Sequence, residues 1–396
     1  MEEIMLRNQF LFVIVTLCAV TWFPAFANDN SGSPGFVYAM TNEFQGNEIL
    51  VYQRMTDGRL SIREAVSTGG LGSGGEEPLE PVDALGSQGP LVLTSDHRWL
   101  LAVNAGSNEV SVFRVMGSSI NLTDVVPSGG IFPVSIVVHN QLVYVLNSGG
   151  EGNFTGFTLE EDGHLFPIAG STRSLDVGGN IPPRFIVSPA QIGINPWGDL
   201  LFVTIKGSNE IRAYQLGASG LPSLSAKSND SNGKTPFGFT FDRRGNLIVV
   251  EPFGNAEVVP SPMASAVSSY FVDADGTLHT ISETVENKQT ASCWIARTRD
   301  GRFVYTTNNA TNTITGYSVA ADGSLALLND NGISAYTEEN PVDVVITSDG
   351  RFLYAVNAGS GTISMFAINT ANGSLSSLGS VTGLPVHDGA VGIAAN

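Results

Sequence analysis

Two stretches decide the fold: RDGRFVYTTNNATNTITGY at 299–317 and SDGRFLYAVNAGSGTISMF at 348–366. Each runs through a turn, an aromatic and β-branched segment ending in Asn, a polar loop, and an alternating segment. The phrase recurs as SDHRWLLAVNAGSNEVSVF at 95–113, and in weaker form at 140–157, 197–214, 244–258 and 35–52. Seven copies, usually 43 to 62 residues apart, have the period of propellers, solenoids or arrays.

One unit, 341–381, can be read strand by strand. VDVVIT (342–347) is a β-branched run, Ser348-Asp349-Gly350-Arg351 a turn, and FLYAV (352–356) a second run. A Gly-rich loop leads to TISMFAI (362–368), and Asn372-Gly373 turns the chain into a fourth strand. Asp57-Gly58, Asp162-Gly163, Asp275-Gly276 and Asp322-Gly323 are the equivalent hairpin turns. Helical spacing of apolar residues is absent. Four antiparallel strands taken seven times predict an all-β, seven-bladed β-propeller. The first unit, starting at Phe36, lacks a first strand, and the tail Gly389–Ala395 matches a first strand and nothing more. The ring is therefore expected to close 3+1, with strands from both termini in one blade. Strand parity then gathers the long loops 69–90, 172–190, 226–237, 252–266 and 286–293 on one face, the loop face. The tight turns fall on the other, the turn face.

Of 396 residues, 42% are hydrophobic and 14% charged, and the formal net charge is −18. Such acidity argues against nucleic acid or anionic lipid as a partner, and no basic patch is evident. Residues 1–27 read as a signal peptide: Arg7, an apolar run from Phe10 to Phe23, and a small-x-small site at Ala25–Ala27. Cleavage before Asn28 would leave a single domain, 28–396, secreted to an extracellular or periplasmic compartment. Cys18 lies in the signal, so Cys293 would be alone in the mature chain, read as a small buried hydrophobe. No His/Cys cluster suggests a metal, and no cofactor is expected.

The phrase DGRFLYAVNAGSGTISMF with a following GSL resembles the lactonase-like, YVTN-repeat propellers, most strongly over 290–380. That resemblance implies a seven-bladed propeller, in a family that includes 6-phosphogluconolactonases, carboxymuconate cyclases and secreted members of no known activity. Its enzymes are similar around a Gly-Pro-Arg-His stretch opening a blade, followed by a Glu after the second strand. The matching stretch here is Ser188-Pro189-Ala190-Gln191. Ala190 stands in the Arg place, Gln191 in the His place and Lys206 near the Glu place, so the family's catalytic set is not carried over.

Seven residues end the second strands: Asn42, Asn104, Asn147, Ile205, Glu251, Asn308 and Asn357. The repeated Asn either accepts turn geometry and bonds its own loop, or forms a ring of amides at the channel mouth. The second reading makes Asn104, Asn147, Asn308 and Asn357 ligand-binding candidates, with Gln191, His387 and Asp388 beside them. Glu251 and Lys206 break the pattern in adjacent blades, and Arg184 lies six residues before Ala190. These three are the candidate catalytic residues of a rearranged lactone hydrolase. The expectation favoured over it is a binding propeller that takes a small polar ligand, glycan or protein partner on the loop face. A structural component associating through blade edges is a third possibility.

Overall fold

The computed structural model describes residues 34–75, 83–177, 181, 183–257 and 261–396. The expected signal peptide, 1–27, lies outside these residues. Seven sheets form, all of them antiparallel, and no helix occurs among the described residues.

The first strands of blades 2 to 7 are Leu91–Leu93, Pro133–His139, Pro189–Ile194, Phe239–Phe241, Ser292–Arg297 and Pro341–Ile346. Ile393–Ala395 supplies the first strand of blade 1. Each of the seven neighbours the next, and the last returns to the first, so they ring the central axis. In blades 3 and 6 the outer position is a broken strand rather than an extra one. Leu165–Pro167 and Arg173–Ser174 pair with opposite ends of Asn153–Leu159, and Leu325–Leu327 and Ala335–Tyr336 divide Thr313–Val319 in the same way.

The ring closes as the termini predict. Val37, Tyr38 and Ala39 pair with Ala395, Ala394 and Ile393. Met40 N donates to Gly392 O, and the guanidinium of Arg54 donates to the carbonyl of Asn396. No covalent link is needed, and the free Cys293 is buried.

The repeated phrase has a packing logic. Second strands are buried along their whole length: Phe352–Asn357, Phe303–Asn308 and Trp99–Asn104 present no exposed residue. A strand covered on both faces reads as a continuous apolar run. The repeat's Tyr then stitches one blade to the next. Tyr354 Oη donates to Gly58 O and Tyr305 Oη to Gly373 O, both at 2.7 Å, and Tyr144 Oη donates to Gly220 O. Gly58 and Gly373 are hairpin glycines with φ of 87° and 77°, a region closed to most side chains. A Cβ on Gly58 would also lie 2.3 Å from the Phe352 ring. The Asp-Gly turns thus serve both backbone geometry and blade-to-blade contact.

Candidate functional site

From Asp83 on, the described end of the link between blades 1 and 2 lies in the central channel, against the first strands of other blades. Residues Asp83 to Ser87 are buried. Ser87 Oγ donates to Val134 O of blade 3 (2.7 Å), and Gln88 N donates to Ala190 O of blade 4 (3.1 Å). Trp294 Nε1 of blade 6 donates to Ser87 O (2.8 Å). The Gln88 amide behaves like a piece of strand: Nε2 donates to Ile295 O at 2.7 Å and Oε1 accepts from Ile295 N at 3.0 Å. Blade 5 makes room with Gly238, where a Cβ would lie 2.1 Å from Gln88 Oε1. The segment is a plug, bonded to blades 3, 4 and 6 and packed against blade 5.

Lys206 is locked under this plug. It is 1% exposed, donates to Gly86 O, and lies 4.2 and 5.0 Å from the Phe185 and Phe237 ring centroids. Burial lowers its pKa, while the nearby charge of Asp83 opposes the fall. Burial likewise pushes the Cys293 thiol up. Asp343, at the start of blade 7, is raised from 3.8 to about 7 by burial, against hydrogen bonds from the backbone N–H of Val344 and Ile393. Ala190, in the place where the resembled enzymes carry Arg, has its carbonyl occupied by the plug.

The other candidates lie apart. Glu251 is fully buried inside blade 5. Its carboxylate accepts from Ser231 Oγ (2.7 Å), Gly233 N (2.8 Å), Ser268 Oγ (2.7 Å) and Tyr270 Oη (3.2 Å). Burial raises its pKa, and those bonds hold it down. No hydrogen bond or ion pair joins Glu251 to Lys206 among the described residues. Arg184 is exposed to solvent. Gln191 makes a two-way amide bridge to Phe239 of blade 5, with Nε2 to O at 3.1 Å and N to Oε1 at 2.6 Å. His387 is exposed at φ 52°, and Asp388 Oδ1 accepts from Gly75 N at 3.3 Å.

The repeated Asn side chains point into their own blades. Asn308 Nδ2 donates to Thr313 and Thr315 Oγ1, and Asn357 Nδ2 to Thr362 Oγ1 and Ser364 Oγ, all at 2.9 Å. Asn104 Nδ2 donates to Ser111 Oγ (2.7 Å), and Asn147 Nδ2 to Asn153 Oδ1 (2.8 Å). All four are fully buried. Among them only Asn147 and Asn357 retain an oxygen without a partner. In blades 2, 6 and 7 the amides therefore fasten the second-to-third loop to hydroxyls on the third strand, and in blade 3 to the Asn153 side chain, not to the loop backbone alone. Glu251 occupies the same place in blade 5, and its Ser268 is the counterpart of Ser364. The signal that identifies this role in blades 6 and 7 is the hydroxyl five and seven residues after the Asn; blade 2 keeps only the one at seven.

The turn face holds a feature that the sequence reading missed. A cleft of about 330 Å³ is lined by Arg243, Arg299, Asp300, Asp349 and Thr370 among others. A second, of about 550 Å³, includes Arg243, Arg244, Asp300 and Arg302. The expectation of no basic patch is corrected here. These arginines sit at the first turns of successive blades, far apart in sequence, and only the ring brings them together.

No curated protein sequence matches the chain. Solved structures do. A Pseudomonas aeruginosa periplasmic gluconolactonase is 17% identical at TM-score 0.69, over 92% of this chain and 99% of its own. A Lactobacillus plantarum protein is 20% identical at TM-score 0.69, over 91% and 99%. A Bacteroides fragilis protein described as a candidate 6-phosphogluconolactonase is 17% identical at TM-score 0.67, over 94% and 100%. At such identities the likeness is one of fold. Residues 263–387 match the family model for lactonase, 7-bladed beta-propeller, and in its fold the chain is a lactonase-like seven-bladed β-propeller.

Proposed function

We propose that this chain is a secreted binding propeller rather than a lactone hydrolase. The observation that carries the reading is the plug. The position where the resembled enzymes set their Arg lies under the plug's own backbone, and Lys206 is committed to Gly86 O. Glu251, the candidate acid, is saturated by four donors and is fully buried. A general acid or base must come within hydrogen-bond reach of a substrate proton, and neither group has a free approach.

The loop face then acts as a surface. It exposes large apolar side chains, with Phe44 at 62%, Ile181 at 67% and Met263 at 63%. Exposed apolar groups above a rigid scaffold suit a protein or glycan partner better than a small polyol. The signal-like residues 1–27 support secretion, which immunodetection of the processed chain outside the cytoplasm would test.

The rival reading, a lactone hydrolase with a rearranged site, is favoured by the fold likeness to a periplasmic gluconolactonase. The deciding experiment is pH-stat hydrolysis of aldonolactone and phosphoaldonolactone substrates by the mature protein. No turnover above the spontaneous rate is expected. Turnover that Lys206→Met abolishes, in a variant with native circular dichroism, would overturn the proposal.

A further inference from the structure

The turn face of blades 5, 6 and 7 concentrates positive charge on a chain whose net charge is −18. Six arginines gather there: Arg243 and Arg244 from blade 5, Arg297, Arg299 and Arg302 from blade 6, and Arg351 from blade 7. Arg243 is common to the two clefts of about 330 and 550 Å³, so they meet at its side chain.

The acids among them are largely engaged. Asp242 accepts from the backbone N–H of Arg244 and Asn246 and from Asn246 Nδ2. Asp349 accepts from Thr347 Oγ1 and Arg351 N. Asp300 accepts from Thr298 Oγ1 and Arg302 N, and pairs with Arg302 Nε at 2.7 Å. These carboxylates cap their own turns. Arg243, Arg244 and Arg299 are exposed and form no ion pair among the described residues. Behind them Arg297 is half-buried, and its Nε is buried without a hydrogen-bond partner. Arg297 lines neither cleft and its Nη1 donates to Thr298 O at 3.1 Å, so it adds positive charge beside the site rather than a donor to it. The turn glycines keep the site close-packed. A Cβ on Gly301 would lie 2.7 Å from Arg243 Cγ and 3.3 Å from Arg297 Nη1.

We infer that this cleft binds a small ligand through a tetrahedral oxyanion group, phosphate or sulfate. Arg243 and Arg299 would hold the anion, Arg244 would reinforce it, and the exposed Thr370 would offer a hydroxyl beside it. Guanidinium forks suit such oxygens, and a volume of this order suits a small ligand. The site is on the face opposite the plug, so it does not depend on whether the loop face hydrolyses lactones.

The test is isothermal titration of the mature protein at low ionic strength with inorganic pyrophosphate, phosphate and sulfate, and acetate as a monovalent control. Saturable binding of at least one tetrahedral anion is expected, with at least tenfold weaker binding of acetate. The double variant Arg243→Ala/Arg299→Ala should weaken that binding at least tenfold while circular dichroism and melting stay native-like. Arg184→Ala, on the loop face, should bind as the unmodified chain does. Preference between phosphate and sulfate would distinguish a phosphorylated from a sulfated natural ligand. No saturable binding, equal binding of acetate, or binding unchanged in the double variant would overturn the inference. If the double variant does not fold, Arg243→Lys/Arg299→Lys serves instead. It keeps the charge and removes the forks, and unchanged anion binding there would equally count against the site.

Discussion

Replacing Glu251 separates a structural carboxylate from a catalytic one. Its oxygens receive four donors, and the side chain is fully buried. Glu251→Ala removes every acceptor at once. Gly233 N–H has no alternative, and Tyr270 Oη already accepts from Asn232 N, so its hydroxyl hydrogen has nowhere to go. A buried donor left without an acceptor costs about 1–3 kcal/mol. Two such losses with a new cavity amount to about 4 kcal/mol. Glu251→Gln keeps one acceptor oxygen for Ser231, Gly233 and Tyr270, and relieves the burial of a charge. It should cost about 1 kcal/mol or less. Equilibrium urea unfolding, followed by tryptophan fluorescence, measures both. The reasoning fails if Glu251→Ala costs less than about 1 kcal/mol, or if the Gln variant is as damaged as the Ala variant.

Further outcomes follow from the same contacts. Tyr354→Phe strands the Gly58 carbonyl at a blade junction and should cost about 1–2 kcal/mol by urea unfolding, with the near-ultraviolet spectrum retained. Truncation after Gly389 removes the strand that pairs with Val37–Ala39, and should give an aggregated or expanded chain by gel filtration. Asp343 makes stability depend on pH. A carboxyl raised in the fold holds its proton more tightly there than in the unfolded chain, so its contribution is favourable at low pH. That contribution is lost as pH rises from its ordinary 3.8 through about 7. The loss is at most about 4 kcal/mol, and Asp343→Asn should flatten the pH 4–7 slope in thermal or urea unfolding. An equal slope in the variant would assign it elsewhere.

Much of the fold was legible because a repeat encodes the same packing problem seven times. The Tyr that reaches the next blade's glycine and the Asn that ties its loop recur at the same spacing in Tyr305/Asn308 and Tyr354/Asn357. The missing first strand at Phe36 and the spare one at Ile393 announced closure because a propeller cannot leave one blade short. The site was much less legible. Nothing in Asp83–Gln88 marks it as a channel plug, since its partners at Ala190 and Ile295 are more than a hundred residues away. Glu251 drew notice as a departure from Asn, although Ser268 two positions beyond its strand partner Ala266 shows it filling the Asn role. The arginines of blades 5 to 7 are ordinary turn residues singly, and become a patch only through the geometry of the ring.

The plug is the claim on which the functional reading rests, and native-state amide exchange tests it most directly. Gln88 N–H, bonded to Ala190 O, and Ile295 N–H, bonded to Gln88 Oε1, should be protected about as strongly as the neighbouring first strands. Exchange of Gln88 within seconds, while those strands stay protected, would show an open channel mouth and contradict the account.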